Sequence, residues 1–592
     1  MHSVVAVASG RPAYARLFRS WPCAAFLLAV LPLSVLLFFD RGLFVPDTRL
    51  GWMDAWYYVS FARWLPYYVN RLWFVYQSER IGWTLPAYVA KMIAGPLLGN
   101  YAVKSAFYTA TIFFLFGSIR QLCSDRVAVL VSLLAAFHTF VVHSLGAGYS
   151  DGPANTYFLA AVFFLNRAML SERARLTDSV LAGLCLAGQL FAHFGTILLL
   201  PIVAGYAMSV RLTRFRTLDG LTAAFLGCCA GILLGWEAVN RVYIYWGVPS
   251  LPLLDSLQIL WSHQANPLVW PSGLSWVREA TWLAVPAGVL VWAIITVLVE
   301  FRRTGFSVGA VHPYLFLMIA ASSVWLALYV VARSPLIMLP FYASYLLPPT
   351  FLALGALTTE ITSVFSRRVY GGVLVLGFCF GALTYVSDFL PVRLAVTLSI
   401  ALVIAAVGLS FVRARVVSLW ATASTGALVF GVLVLNLATK DYGVLLRDGY
   451  KHSRMVAIYG DKAPAPDRQT QAQRFLDALH SADFLQERLA GRRYSMVYNG
   501  LDELGPVFRS VGSLLFAEAS NVLLSESFQD FTTADDAMAL HRTMTYGRDL
   551  VVLTRAARLE SNDDNLQPEW TQELHELDTP YFVHYFKLRS RE

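Results

Sequence analysis

The sequence predicts a polytopic α-helical membrane protein of about 13 transmembrane helices with a C-terminal extracytoplasmic α/β domain. Three observations point there. The 592 residues are 57% hydrophobic and only 14% charged, where soluble chains run nearer about 45 to 50% and about 25%. Apolar segments of about 17 to 22 residues, enough to cross a hydrocarbon core, recur along the chain. The apolar pattern then stops near Lys440 and a mixed polar pattern follows. So much apolar surface excludes a cytosolic enzyme, a secreted disulfide scaffold and a nucleic-acid-binding regulator.

The basic N-terminus, with Arg11, Arg16 and Arg19, precedes an apolar run from Trp21 to Phe39 that lacks a small-residue cleavage site before Asp40. It reads as a retained first helix rather than a cleaved leader. The segments centre near residues 30, 112, 136, 162, 187, 203, 228, 291, 322, 351, 380, 402 and 428, the fifth and sixth being short and closely coupled. Breaks after even-numbered segments carry Arg120 and Arg126, then Arg167, Arg173 and Arg175, then Arg211, Arg214 and Arg216, then Arg302 and Arg303, then Arg367 and Arg368, then Arg413 and Arg415. All fall on one side, which the positive-inside rule makes cytoplasmic. The N-terminus is then cytoplasmic, the chain integral to the inner (plasma) membrane, and everything after Lys440 outside. The expected domains are a transmembrane unit over 1–439, with long outer loops 40–103 and 240–280, and an extracytoplasmic soluble α/β domain over 440–592.

Charge follows the same division. Residues 1–439 hold 28 Lys+Arg against 15 Asp+Glu, a balance of +13, and 440–592 hold 18 against 23, a balance of −5, which together give the net +8. The excess cation belongs to membrane loops, and a nucleic-acid partner has no support. The six cysteines, at 23, 123, 185, 228, 229 and 379, lie within or beside apolar segments. They read as small core residues, with neither a disulfide framework nor metal-type spacing. In the tail, residues 468–490 carry a helical pattern, and Tyr494 to Tyr498, Asn521 to Leu524, Leu550 to Thr554 and Tyr581 to Leu588 read as strands.

Ionisable groups near membrane depth are costly, so each one on the outer side needs a reason. Asp54 lies in the run Gly51-Trp52-Met53-Asp54-Ala55-Trp56-Tyr57-Tyr58, where it begins an aromatic stretch suited to the headgroup level. Asp151 sits in Gly146-Ala147-Gly148-Tyr149-Ser150-Asp151-Gly152-Pro153, a very short outer turn at the mouth of the bundle. Two acids held at one face can deprotonate an acceptor hydroxyl or ligate a divalent cation. Alternatively, Asp54 caps an interfacial helix and Asp151 is a turn residue.

The large first outer loop with an acid before aromatic residues, the element Glu79-Arg80-Ile81-Gly82-Trp83-Thr84-Leu85-Pro86, the turn bearing Asp151 and the element Ser344-Tyr345-Leu346-Leu347-Pro348-Pro349 together resemble the GT-C glycosyltransferases. Within them the layout is similar to bacterial relatives of dolichyl-phosphate-mannose protein mannosyltransferase and of the lipid A aminoarabinose transferase. The resemblance implies an inverting hexosyl- or pentosyltransferase that takes a sugar from a polyprenyl-phosphate donor to a glycan, lipid or protein acceptor of the envelope. It makes Asp54 the base and Asp151 the assisting acid. The first loop reads Met53-Asp54-Ala55 rather than the mannosyltransferases' Asp-Glu pair, which leaves Asp47 as a rival and Glu79 as a secondary candidate.

A lipid-phosphate leaving group also calls for a cation, for which Arg80 and Arg333 are the candidates, snorkelling being the alternative for each. Arg241, His263 and Arg278 are candidates for an acceptor groove. A divalent metal on Asp54, Asp151 and His143 is an option that no metal motif supports. His193, between two short apolar segments, is expected to be satisfied by a backbone carbonyl rather than to move protons. The competing functions are a transporter or flippase of lipid-linked sugars, disfavoured by the absence of an internal repeat, and a non-catalytic envelope scaffold.

Overall fold

In the computed structural model the described residues are 21–39, 44–45, 53–71, 80–146, 148–171, 175–248, 283–304, 311–330, 340–364, 367–386, 468–489, 492, 494–499, 521–525, 549–554, 556–560, 566–576 and 579–588. Helix is the dominant element, since a backbone in hydrocarbon has to satisfy its own polar groups. The helices are α1 (Trp21–Phe39), α2 (Met53–Arg71), α3 (Ile81–Ala94), α4 (Pro96–Leu122), α5 (Asp125–Ala136), α6 (Thr139–Gly146), α7 (Asp151–Met169), α8 (Leu176–Ala192), α9 (Leu200–Phe215), α10 (Leu221–Tyr245), α11 (Ala284–Thr304), α12 (Pro313–Val330), α13 (Pro340–Ala343), α14 (Leu347–Val364), α15 (Arg367–Val386) and α16 (Arg468–Arg488).

Each of the first eleven apolar centres falls in one of these helices, and those at 402 and 428 lie outside the described residues. Among the described residues, four helices are long and apolar enough to cross a membrane by length and composition, or up to five if α5 and α6, bent by 60°, are one broken span. The closely coupled fifth and sixth segments are α8 and α9, joined through His193 and a 3₁₀ turn, Phe194–Leu199.

Side-chain contacts sort the helix ends. At one end Arg120 pairs with Asp125 at 2.7 Å, Arg211 donates to the carbonyls of Met169 and Ser171, and the Tyr370 hydroxyl donates to the Arg126 carbonyl. The Arg-bearing breaks of this region therefore share one end of the bundle. Between the ends, α8 and α10 approach backbone to backbone. A Cβ on Gly183 would stand 2.1 Å from the Cys228 carbonyl oxygen, and one on Gly231 2.2 Å from that of Val180. Small residues replace hydrophobic burial as the basis of such packing, because lipid is as apolar as the helix faces.

The tail forms a five-stranded sheet in the order β2-β1-β3-β5-β4, from β1 (Tyr494–Asn499), β2 (Asn521–Ser525), β3 (Asp549–Thr554), β4 (Leu566–Glu576) and β5 (Thr579–Leu588). The first three pair in parallel, and β5 runs antiparallel to β3 and β4. Helix α16 covers one face, burying Phe475, Ala478, Leu479, Ala482 and Leu485 against Tyr494, Met496, Val551, Leu553, Tyr581, Val583 and Tyr585. Strand β4 is not legible in the sequence. Its apolar residues Leu566, Trp570 and Leu574 recur every fourth position, as on a helix, and it survives as an edge strand with an irregularity between Pro568 and Trp570.

Helix α16 also grips the first loop. The Trp56 ring on α2 lies 5.6 Å from that of Phe475, and the buried Arg63 pairs with Asp483 and donates to the Leu479 carbonyl at 3.5 Å. The sheet domain and the first loop thus share one end of the bundle.

Two outcomes follow. Gly231→Val should force α8 and α10 apart at a cost of about 1 to 3 kcal/mol, lowering the melting temperature of the detergent-purified protein. In the sheet domain, His584 Nε2 lies 2.8 Å from the Ala556 carbonyl and Nδ1 2.8 Å from the Thr571 hydroxyl. A carbonyl only accepts, so Nε2 keeps its proton, and the titrating proton is the one on Nδ1, toward which the Thr571 hydroxyl can act as donor or acceptor. Burial holds its pKa below the ordinary value. The folded state then binds this proton less well than the unfolded one, so the contribution is complete above about pH 6.5 and lost as pH falls through the folded value. Intrinsic-rate-corrected exchange protection of the β3 and β5 amides in the full chain should fall on acidification, and His584→Gln should flatten that dependence.

Candidate functional site

The turn after α6 places Asp151. Gly148 adopts φ +82°, and Ser150 precedes Asp151, the first residue of α7. Three contacts fix the turn. The Trp83 indole donates to the Gly148 carbonyl at 3.2 Å. The ammonium of Lys104, 1% exposed, donates to the carbonyls of Gly146 at 2.7 Å and Phe44 at 2.6 Å. Gly152 lets α7 start against α6, because a Cβ there would stand 2.4 Å from the Ser144 carbonyl oxygen.

So held, Asp151 is 3% exposed. Its Oδ2 accepts from the Ser344 hydroxyl at 2.8 Å, and Oδ1 has no partner among the described residues. Ser344 opens the 3₁₀ turn Ser344–Leu346 ahead of α14 and is fixed by Asn155, one turn along α7, whose amide donates to the Ser344 carbonyl and hydroxyl, each at 3.2 Å. The next residue, Tyr345, is buried with its hydroxyl unpartnered among the described residues, and its ring lies 5.4 Å from that of His193.

Arg80, at the start of α3, supplies the cation. It donates to the Tyr58 hydroxyl and, at 2.9 Å, to that of Ser150, the neighbour of Asp151. It lies within electrostatic reach of Asp151, His193 and Tyr345. The arrangement combines a cation able to hold a phosphate oxygen with a buried carboxylate that keeps one oxygen available.

Of the residues singled out in the sequence, Arg80 and Asp151 come together here. Asp54 is the second residue of α2, but its side chain lies outside the described residues, as do Asp47, Glu79, His263, Arg278 and Arg333. Arg241 is on α10, exposed and paired with Glu237 at 2.6 Å. His143 is on α6, and among the described residues no group of three or more His, Cys, Asp or Glu side chains could hold a metal ion.

Sequence reasoning missed Lys104 and Asn155, and it named Ser344 and Tyr345 only within a family-like element and Tyr58 only within an aromatic run, without placing them in the site. Lys104 had a readable sign, a lone cation inside the apolar run of α4, and the rule for charges at membrane depth applies to it as it does to the acids.

Fold and site define a polytopic α-helical membrane protein with a cation and a buried carboxylate brought together where its first loop meets the bundle. The chain is similar to a solved structure of ArnT from Cupriavidus metallidurans bound to undecaprenyl phosphate, at 12% identity and a TM-score of 0.49, over 94% of this chain and 97% of that chain. It is also similar to the Archaeoglobus fulgidus oligosaccharyltransferase in its apo form, at 12% identity and a TM-score of 0.47, over 90% of this chain and 70% of that chain. No family model and no curated protein matches the chain.

Gly152→Ala tests how tightly the turn is built. The clash is with backbone, so α6 or α7 has to shift, and the melting temperature of the purified protein should fall by several degrees, against little change for Gly288→Ala on α11, where a Cβ meets nothing within 4 Å and φ is not positive.

Proposed function

We propose that the protein is a membrane glycosyltransferase that moves a sugar from a polyprenyl-phosphate donor to a cell-envelope acceptor at the outer face of the membrane. The observation that carries this reading is the buried Asp151 carboxylate, fixed by Ser344 and with Oδ1 available, beside the Arg80 guanidinium. The resemblance of the first loop, the Asp151 turn and the Ser344 element to the GT-C pattern supports it. In this reading the outer face is the end that carries the first loop and the sheet domain, the N-terminus is cytoplasmic, and the division into 1–439 and 440–592 separates catalysis from acceptor recognition.

The transfer runs as a single displacement with inversion. Asp54 takes the proton of the acceptor hydroxyl as its oxygen attacks the anomeric carbon. The bond from that carbon to the phosphate oxygen breaks, and its electron pair leaves with the polyprenyl phosphate. Arg80 stabilises the charge that develops there, and Asp151 orients a hydroxyl through Oδ1. Asp47 and Glu79 are the alternatives for the base, Arg333 is a second cation for the phosphate, and His263 belongs to the acceptor side.

Mass spectrometry of envelope glycans, glycolipids and lipid-linked sugars tests this in cells with the intact protein, without it, and with Asp54→Asn or Asp151→Asn. Removal of a general base costs about 10²- to 10⁴-fold, so one monosaccharide should disappear from its acceptor while its polyprenyl-phosphate form accumulates in the deletion and in Asp54→Asn. Asp151→Asn should reduce transfer less. A change confined to the deletion, with both variants inserted and fully active, would sink the assignment.

A further inference from the structure

Helix α8 stops at Ala192, and His193 leaves it in an extended conformation, φ −154° and ψ 106°. The break is fixed by its own backbone. The His193 N–H donates to the Gln189 carbonyl at 2.9 Å, and the His193 carbonyl accepts from the Thr196 N–H at 3.0 Å and hydroxyl at 2.7 Å. His193 is 6% exposed, and its ring packs edgewise on Tyr342 and tilted against Tyr345, with centroids 5.2 and 5.4 Å away. Yet Nδ1 is buried and, with the residue's own backbone carbonyl as a nearby dipole, makes no geometrically sound hydrogen bond among the described residues.

Leaving a buried polar atom unpaired costs about 1 to 3 kcal/mol. The local chain also keeps the approach to this atom clear. A Cβ on Gly195 would lie 3.2 Å from Nδ1 and 3.0 Å from Cε1, and glycine leaves that space empty.

Two more buried polar atoms in the same neighbourhood lack a partner among the described residues. Tyr345 Oη and Asp151 Oδ1 belong to groups within electrostatic reach of one another, and Arg80 reaches all three residues. A phosphate, which only accepts, suits Arg80 and the Tyr345 hydroxyl but is repelled by the Asp151 carboxylate. A hydroxylated ring both donates and accepts, so it can serve a carboxylate oxygen, a phenol and an imidazole nitrogen together.

We infer that His193 is a specificity-determining residue whose Nδ1 hydrogen-bonds a ring hydroxyl of the transferred sugar, in the space kept open by Gly195 and beside the phosphate held by Arg80. The inference rests on the transferase reading. It makes His193 respond to the sugar of the donor and not to the lipid phosphate that carries it.

The test uses the full chain in nanodiscs with undecaprenyl phosphate itself and a panel of undecaprenyl phosphates bearing single hexoses and pentoses. The intact protein should bind at least one sugar-bearing carrier more tightly than the bare one. His193→Phe, which keeps a ring among the tyrosines, should lose about tenfold toward that carrier, as expected for one hydrogen bond in a site closed to water, and less than about twofold toward the bare carrier. His193→Asn, whose amide nitrogen falls near the position of Nδ1, should regain most of the loss. Equal weakening of both ligands by His193→Phe would assign the residue to structure or to the phosphate, and an unchanged preference would remove it from the site; either overturns the inference with the transferase reading intact. Failure of the intact protein to bind any of these carriers would instead overturn that reading, and the role of His193 with it.

Discussion

A carboxylate and two cations at the end of a helical bundle are stable only if each is held by groups that do not leave another charge exposed to lipid. The rest of the site depends on how the turn from Gly146 to Pro153 meets that constraint. Lys104 points its ammonium at two backbone carbonyls, one from the turn and one from Phe44. The described hydrogen bonds of Arg80 go to two hydroxyls, and Asp151 takes a hydroxyl in return. Neutral dipoles thus position the charges, and the carboxylate keeps an oxygen that direct, bidentate pairing with a guanidinium would have consumed.

The same turn explains why the sheet domain matters to the bundle. The ring of Tyr58, the partner of Arg80, lies on α2, where Trp56 and Arg63 are held by α16. A helix that carries Asp54 at its start and a partner of Arg80 one turn later is therefore fixed from both sides: by the bundle through Tyr149, whose ring is 5.9 Å from that of Tyr58, and by the sheet domain through Phe475 and Asp483. Positioning of this kind, by packing outside the reacting groups, is what keeps a polar site in register.

Much of this was legible in the sequence, for physical reasons that also mark where legibility ends. Long apolar runs have one solution in lipid, which is why the centres from 30 to 380 fall in helices. Short β-rich runs marked β1, β2, β3 and β5, whereas the apolar residues of β4 recur at a four-residue spacing that a helix shares. Asp151 and Arg80 were visible because a charge in an apolar context demands a reason. Asn155 was not, and Ser344 and Tyr345 were visible only as part of a family-like element, since a neutral polar residue in a membrane helix often bonds only to its own backbone, as Thr296 does to Trp292. Juxtaposing residues 151 and 344 is a property of the packing, and no local pattern encodes it.

That packing is set by glycines. Gly82 lets α3 come against α8, where a Cβ would stand 2.6 Å from the Gly188 carbonyl oxygen, and Gly152 does the same for α7 against α6. Backbones in such contact cannot slide without clashing, so the ends they carry, Arg80, His193 and Asp151 among them, are held at fixed separations. In a looser bundle, buried polar atoms would collapse onto one another and satisfy themselves. Here Asp151 Oδ1, Tyr345 Oη and His193 Nδ1 stay close yet unmatched among the described residues. Rigidity at this end is thus what keeps hydrogen-bonding capacity in reserve, for a ligand able to use it.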